Sequence, residues 1–513
     1  MDKHPALFQV NTRVYLKELS DTLKRQATLD DIPDAFLDDL AEKGFSWVYL
    51  LSVWKTGEAG RKVSRTQEGW LNEFRSNLPD LKEEDICGSG FAIAGYTLDP
   101  YFGKPDALAK LRDRLHKRGM KLMLDFVPNH TAIDHPWVSA HPEYYIEGNE
   151  EALAHAPQNF IKVGEKGKEK IFAYGRDPYF DGWPDTLQLN YGDAGLRKAM
   201  TAELNNIADV CDGVRCDMAM LVLPEIFQRT WNIQTEPFWS QAIASVRKGH
   251  ADFTFMAEVY WDMEWELQQQ GFDFTYDKRL YDRLRQGDAR PVREHFWADF
   301  EYQSHSARFL ENHDEPRAAG VFPVDQHKAA AMISFFSPGL RFFHQGQFEG
   351  LQKKLSVHLN RRAPEEANAD LQQFYDLLLN CLKLPVAHCG HWNLLECTPA
   401  WDDNPTFDRF IAFNWSDHHK ELQLTVIVNY APHQSQCYVK VPVGAGGGAL
   451  IEFSDQLKRD IYLREASGVM RRGLYVDLPA WGFHAFVVQP VEREIKAPSQ
   501  TPPPREKSLS AKK

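Results

Sequence analysis

The chain has 513 residues, of which 43% are hydrophobic and 26% charged, a composition ordinary for a soluble globular protein. Its net charge of −13 and pI of about 5.8 argue against nucleic-acid binding, which normally needs a basic face, and favour a neutral substrate. No run reaches the ~18–20 apolar residues of a membrane span and no apolar leader is evident, so we expect a cytoplasmic protein that contacts neither nucleic acid nor membrane.

Eight short apolar runs predict buried strands. They are residues 8–16, 45–53, 121–130, 212–221, 253–261, 272–277, 307–314 and 339–346. Helical stretches lie between them; residues 103–119, for example, place Leu108, Leu111 and Leu115 at three- and four-residue spacing, with Gly119 suited to the C-terminal cap. Strands alternating with helices predict a closed parallel (β/α)₈ barrel of the TIM type, whose catalytic side chains come from the carboxyl ends of several strands.

Two long segments interrupt this alternation. Residues 55–85 predict an irregular insert after the second strand, and residues 130–191, rich in Gly, Pro and aromatic side chains, predict a subdomain inserted after the third. From about residue 395, alternating strands predict a C-terminal antiparallel β-sandwich. The predicted parts are the first part of a catalytic barrel (1–129), the inserted subdomain (130–191), the second part of the barrel (192–392), the β-sandwich (393–492) and a Pro-, Ser- and Lys-rich disordered tail (493–513).

Cysteine usage points to neither a metal site nor a cross-linked scaffold. The seven cysteines stand at scattered spacings that match no zinc pattern and no disulfide framework. Cys389 and Cys397 are close enough in sequence to pair, although free thiols are favoured.

Three acids each follow a predicted strand: Asp217, Glu258 and Asp314. Cleaving an acetal needs one carboxylic acid to protonate the leaving oxygen and one carboxylate to stabilise or capture an oxocarbenium-like carbon. Arg215, two residues before Asp217, would point to the same side of its strand and keep that carboxylate ionised. A single acid at a strand end is more often a helix cap or an ion-pair partner. Several such ends, each with suitable neighbours, favour a catalytic site.

Four segments carry a resemblance to a known family. In order, spacing and strand position, DFVPNH (125–130), GVRCD (213–217), AEVY (257–260) and FLENHD (309–314) resemble the signature regions of the α-amylase family of retaining glycosidases and transglycosidases. The resemblance covers about residues 5–490. It implies that Asp217 is the nucleophile, that Glu258 is the general acid/base, and that Asp314 binds hydroxyl groups of the transferred sugar.

The same resemblance implies further substrate-binding residues. Tyr96 would stack beneath the sugar, Asp125 would support the site, His130 and His313 would contact the sugar, and Arg215 would orient Asp217. Trp183, in WPDTLQLNY, resembles the exit of the inserted domain and serves either the core or the sugar.

One departure concerns the residues after the nucleophile. The chain reads Met218-Ala219-Met220-Leu221 where true α-amylases often carry a Lys-His pair, which puts the usual starch-cleaving subsite and the calcium site in doubt. Asn129 is the remaining candidate calcium ligand, and one oxygen falls short of the 6–8 that Ca²⁺ takes. We therefore expect no metal and no cofactor.

The sequence leaves three functions open. The first is a retaining glycoside hydrolase that cleaves α-glucosidic bonds in malto-oligosaccharides or related α-glucosides through a covalent glycosyl-enzyme intermediate. The second is an α-glucosyltransferase or isomerase in which a sugar or phosphate acceptor intercepts the same intermediate. The third is a non-catalytic carbohydrate-binding protein, which the fold alone permits and which the retention of all three acids disfavours.

Overall fold

The computed structural model describes residues 3–417, 422–443 and 450–491. At its centre is a closed barrel of eight parallel strands whose spatial order follows the chain. The strands are Ala6–Asn11, Trp47–Leu51, Lys121–Phe126, Gly213–Cys216, Thr254–Ala257, Phe274–Tyr276, Ser306–Arg308 and Leu340–His344. Each predicted run overlaps one of them, which confirms the predicted barrel.

Helices cover the outside of the barrel. The longer ones are Thr12–Leu23, Asp34–Glu42, Ala107–His116, Ala194–Ala208, Pro224–Trp231, Trp239–Gly249, Lys278–Gln286, Ala289–His295, Val324–Phe335 and Ala369–Leu382. Shorter ones are Glu264–Gln269, Phe300–Ser304, Ala318–Val321 and Pro385–Cys389, and 3₁₀ turns span Leu29–Asp31, Pro100–Phe102 and Ala219–Val222. The strand predicted at 8–16 is too long, because Asn11 ends it by accepting a hydrogen bond from Val14 N (3.4 Å) and so caps the first helix.

The insert after the second strand is not irregular as predicted. It contains the helices Glu58–Thr66 and Glu68–Asn77 and the turn Glu83–Asp85, and it is flanked by the paired strands Trp54–Thr56 and Ile93–Leu98. Its apolar side packs against the loop that follows the eighth barrel strand, through Phe74, Leu78, Ile86, Leu359 and Ala363. The helices are mostly polar and pack against a loop remote in sequence, so local periodicity gave little sign of them.

The subdomain after the third strand is small and strand-based. His130–Ala132 pairs with Thr186–Gln188 and Phe160–Val163 pairs with Lys170–Ala173, both antiparallel. The helices Trp137–Ala140 and Glu150–His155 and the turn Pro142–Tyr144 complete it. This arrangement brings the segment back to the barrel next to His130.

The C-terminal region forms two antiparallel sheets, as predicted. One has six strands in the order His391–Leu394, Phe410–Ser416, Gln423–Asn429, Phe483–Val491, Leu450–Asp455 and Ile461–Glu465; the other has Cys397–Thr398, Ser435–Val439 and Leu474–Leu478. The turn Pro405–Arg409 and the helix Ala466–Arg472 connect strands. The tail at 493–513 lies outside the described residues, and the exact boundaries of the five parts stay a prediction.

Two further expectations concern the whole chain. All seven cysteines, Cys389 and Cys397 included, are free thiols. Within the described ranges, no helix combines the length and apolar character that crossing a bilayer demands.

Candidate active site

A single guanidinium joins three carboxyl groups at the carboxyl end of the barrel. Arg215 Nη1 lies 2.6 Å from Asp217 Oδ1, and Arg215 Nη2 lies 2.8 Å from Glu258 Oε2 and 3.5 Å from Asp314 Oδ2. The arginine is fully buried, so the charges interact in a poorly screened environment. The three acids proposed from sequence therefore share one cation.

The register of the strands explains this convergence. Cys216 pairs with Ala257 across the fourth and fifth strands, so Asp217 and Glu258, each one residue further, emerge side by side. Asp314 follows the seventh strand and is turned inward by Asn312, whose side-chain oxygen accepts hydrogen bonds from Asp314 N (2.8 Å) and Glu315 N (2.9 Å).

Glu258 is held by two neighbours in addition to Arg215. Met218 N donates to Glu258 Oε2 (2.7 Å), and the Tyr260 hydroxyl donates to Glu258 Oε1 (3.0 Å). Met218 adopts a left-handed conformation, with φ of 41°, directly after Asp217. This uncommon backbone geometry aims the Met218 amide at the carboxylate and marks the turn as functional.

Burial sets the protonation of the two central acids. It raises the pKa of Asp217 and the pKa of Glu258, and the nearby Arg215 guanidinium opposes both shifts. Because both carboxyl groups bind the same guanidinium, their ionisations are coupled, and the apparent pKa at which the first proton is taken up is a property of the two groups together. The site thus keeps one acidic proton at a pH at which isolated carboxyl groups would be ionised.

His313 faces the same cluster. Its Nε2 lies 3.0 Å from Asp314 Oδ2, and burial together with Arg215 lowers its pKa well below 6.5, so the ring is neutral. Phe91 stacks on His313 with ring centroids 5.3 Å apart, and Arg215 Cζ lies 5.2 Å from the centre of the Phe91 ring. Phe91 thus packs against both His313 and Arg215, a contact that the sequence did not predict.

Tyr96 is held against the end of the third strand. Its hydroxyl donates to Val127 O (3.0 Å) and accepts from Val127 N (2.9 Å), and its ring stacks on Phe126. These contacts fix the end of the third strand. The role of Tyr96 in stacking beneath the sugar stays a prediction.

Asp125 supports the site from within the barrel. The Tyr49 hydroxyl donates to its Oδ1, and Ser52 N donates to its Oδ2 at 2.7 Å. The residue is 1% exposed, so its carboxylate is committed to protein donors, consistent with the supporting role and not with direct sugar binding.

His130 lies at the base of the inserted subdomain. Burial lowers its pKa to about 3, so it is neutral and able to donate or accept one hydrogen bond. Its ring lies 5.2 Å from the half-buried Trp183 ring. The contact gives Trp183 a packing role at the junction between subdomain and barrel.

Asn129, the candidate calcium ligand, is hydrogen-bonded within the protein. Asn129 Oδ1 accepts a hydrogen bond from Gln188 Nε2 at 3.0 Å, which occupies the only side-chain oxygen that the sequence offered as a ligand. In the described ranges, no three His, Cys, Asp or Glu side chains cluster as metal ligands would. The absence of a bound metal stays a prediction.

Asp185, in the inserted segment, is a buried carboxyl group without a hydrogen-bond partner for Oδ2 among the described residues. Burial raises the pKa of Asp185 from 3.8 to about 7. The unfolded chain releases this proton near the lower value and the folded chain near the higher one, so the free energy of unfolding falls as pH rises between them. The fall is at most about 4 kcal/mol.

Asp185→Asn is expected to remove this pH dependence, because an amide has no proton to lose. Thermal unfolding at about pH 5 and about pH 8 measures it. The melting temperature of the variant should differ less between the two conditions than that of the wild type. Asp181→Asn, at an exposed position of the same segment, is the control. An equal change in wild type and Asp185→Asn would contradict the assignment.

A cavity of about 750 Å³ opens on the Glu258 side of the site. Met218 and Tyr260, which both hydrogen-bond to Glu258, line it together with Trp261, Phe180 and Lys278. Phe180 is 71% exposed, and Tyr179 beside it meets Trp261 edge to face at 5.0 Å. The cavity offers flat apolar faces together with polar groups, the combination that sugar rings bind.

Comparison with known proteins agrees with this geometry. A family model described as "Alpha amylase, catalytic domain" matches residues 70–377, more than half of the chain. The alpha-1,4-glucan:maltose-1-phosphate maltosyltransferase of Bifidobacterium longum is 30% identical over 229 residues, which are 44% of this chain and 25% of that protein. Alpha-amylase MalA of Haloarcula japonica is 24% identical over 380 residues, 71% of this chain and 52% of that protein.

The chain thus spans a quarter to a half of the length of these relatives. Among solved structures, the noncanonic maltogenic alpha-amylase AmyB from Thermotoga neapolitana superimposes with a TM-score of 0.65 at 19% identity, covering 96% of this chain and 99% of that one. At this identity the likeness shows the fold alone.

Proposed function

The chain belongs to the α-amylase family, and from that premise we propose that it is a retaining glycoside hydrolase acting on α-glucosidic bonds of malto-oligosaccharides or related α-glucosides. The observation that carries the proposal is the shared contact of Arg215 with Asp217, Glu258 and Asp314. A site that keeps an acid and a carboxylate around one cation has the two groups that acetal cleavage needs. Retention of all three acids disfavours a non-catalytic binding protein.

The proposed reaction has two steps. In the first, Glu258 gives its proton to the glycosidic oxygen, the bond from that oxygen to the anomeric carbon breaks, and Asp217 forms an ester with the anomeric carbon. In the second, Glu258 takes a proton from water, the water oxygen bonds to the anomeric carbon, and the ester breaks. Asp314, with His313 beside it, would bind hydroxyl groups of the sugar as its ring distorts.

The alternative is transfer to a sugar or phosphate instead of water. The cavity on the Glu258 side supports this alternative, because its volume of about 750 Å³ accommodates an acceptor sugar and its aromatic lining would bind one. The same intermediate serves both reactions, so occupancy of this cavity decides between them.

The test is product analysis on α-linked disaccharides, maltodextrins and glucosyl phosphates, with and without an added acceptor sugar. A hydrolase releases free sugar of retained anomeric configuration whether or not the acceptor is present. A transferase yields new glycosides or glucosyl phosphate that depend on the acceptor. Inverted configuration, or no turnover of any of these compounds, would reject the proposed function.

The pH–rate profile is expected to fall on the alkaline side as Glu258 loses its proton. Since burial raises the pKa of Glu258, the fall should lie above the usual carboxyl range. The measurement is kcat/KM against pH for two substrates. The leaving group of an alkyl glucoside needs a proton, and that of a glucosyl fluoride needs less help, so the comparison isolates proton donation by Glu258. The limb should be steeper for the glucoside. A flat rate to high pH with both substrates would contradict Glu258 as the acid.

A further inference from the structure

Gln9, on the first barrel strand, contacts the site through His313. Its side chain is fully buried, and Gln9 Nε2 lies 3.0 Å from His313 Nδ1. The two residues are 304 positions apart in the chain, and the neighbouring first and eighth strands carry Gln9 next to His344 in the ladder. None of the four signature segments includes Gln9.

The orientation of both side chains follows from Asp314. His313 Nε2 lies 3.0 Å from a carboxylate oxygen of Asp314 but is not aligned for a hydrogen bond with it. A proton on Nε2 avoids the repulsion between a bare nitrogen and the lone pairs of that oxygen, so the contact favours the Nε2–H tautomer. A neutral ring with its proton on Nε2 has a bare Nδ1, which needs a donor. Gln9 must therefore present its amide N–H₂ to Nδ1 and not its oxygen.

Packing holds the His313 ring in its plane, and the hydrogen bond from Gln9 sets which ring nitrogen carries the proton. Phe91 covers one face of His313, with centroids 5.3 Å apart and planes 23° apart. The charged and titratable groups around the ring are Asp314 on its own loop, Arg215 on the fourth strand, Glu258 after the fifth, His344 on the eighth and Lys354 on the loop that follows. Lys354 itself donates to the carbonyl of Asp314.

We propose that Gln9 is a positioning residue for the reaction, holding His313 as the Nε2–H tautomer so that this buried N–H, which has no hydrogen-bond partner among the described residues, faces Asp314 and can donate to the sugar bound there. The proposal rests on the proposed function for its kinetic consequence. Its structural part, the tautomer, stands apart from any substrate. The class of ligand it serves is the neutral sugar whose hydroxyl groups Asp314 and His313 share.

Two variants separate the hydrogen bond from the shape of the side chain. Gln9→Met removes the donor at nearly constant volume, and Gln9→Glu replaces the donor with a carboxylate that accepts a proton from Nδ1. We expect kcat/KM to fall about tenfold in Gln9→Met and about 100-fold in Gln9→Glu. In Gln9→Glu the new carboxylate favours protonation at Nδ1, so the pH–rate profile should gain a limb that the wild type lacks.

The matched control is Gln347→Met, another fully buried glutamine of the barrel, whose amide donates to Tyr375 (2.9 Å) and contacts none of the three acids. It should lose stability to a similar degree and keep the wild-type pH profile. Wild-type activity in both Gln9 variants would overturn the proposal. So would equal kinetic losses in Gln347→Met.

A direct readout needs no substrate. In protein labelled with ¹⁵N-histidine, the His313 signals, assigned by their loss in His313→Gln, should show Nε2 protonated and Nδ1 bare in the wild type, and Nδ1 protonated in Gln9→Glu. Protonation at Nδ1 in the wild type would overturn the proposal even if neither Gln9 variant folds. A chain that shows the expected tautomer but turns over no α-glucoside would refute the proposed function and leave the role of Gln9 in placing His313 intact.

Discussion

Asp217→Asn is expected to lower kcat by about 10⁴-fold or more, because an amide neither attacks the anomeric carbon nor carries the negative charge that stabilises it. The substitution preserves the size of the side chain, so the loss would be chemical. Asp217 is the carboxylate closest to Arg215 in the cluster, at 2.6 Å, and this contact opposes the rise in the pKa of Asp217 that burial causes. Steady-state hydrolysis of an aryl α-glucoside measures the effect.

The control for this variant is Asp209→Asn, which alters an exposed acid whose partner is His250. Its activity should equal that of the wild type. Melting temperatures of both variants check that the fold is kept. Turnover of Asp217→Asn near the wild-type rate, in folded protein, would rule out Asp217 as the nucleophile.

Arg215→Lys is expected to lower kcat/KM by about 10³-fold, although the positive charge is kept. The guanidinium contacts Asp217 through Nη1 and both Glu258 and Asp314 through Nη2. The lysine side chain is shorter and ends in a single ammonium, which cannot contact all three carboxylates. Loosening the cation also removes an influence that lowers the pKa of Asp217 and of Glu258. Both pKa values should rise, and the activity optimum should move to higher pH.

Arg308→Lys is the matched control, because Arg308 is an equally buried arginine of the barrel that binds a carboxylate, Asp277, away from the three acids. It should cost stability and leave the pH optimum in place. The same shift of the optimum in both variants would mean that general loosening of the barrel, and not the contact with the acids, explains the result. An unchanged optimum in Arg215→Lys would also contradict the account.

The barrel was predictable because its strands are continuous apolar runs, each followed by polar residues. The register of neighbouring strands then brings the residues that follow them close together, as it does for Asp217 and Glu258. In the six-stranded sheet, Leu450–Asp455 and Ile461–Glu465 include charged residues, so their sequences indicate a strand less clearly than the apolar runs of the barrel do.

Contacts made only by tertiary folding were beyond the sequence. Phe91 reaches His313 and Arg215 because the strand Ile93–Leu98 pairs with Trp54–Thr56, a pairing that no local pattern indicated. The hydrogen bonds between the Tyr96 hydroxyl and the backbone of Val127 likewise could not be predicted from the sequence. Gln9 lies within an apolar run, where one glutamine gives no sign of a partner 304 residues away.

Covalent trapping tests the convergence of the two central acids on one anomeric carbon. Glu258→Gln incubated with an α-glucosyl fluoride should still form the ester, since fluoride departs with little help from an acid, but should lack the base that activates water for its release. Mass spectrometry of peptides from the quenched protein should find one hexosyl group, attached to Asp217. A sugar attached to a different residue, or an inverted product released with no ester formed, would contradict the account.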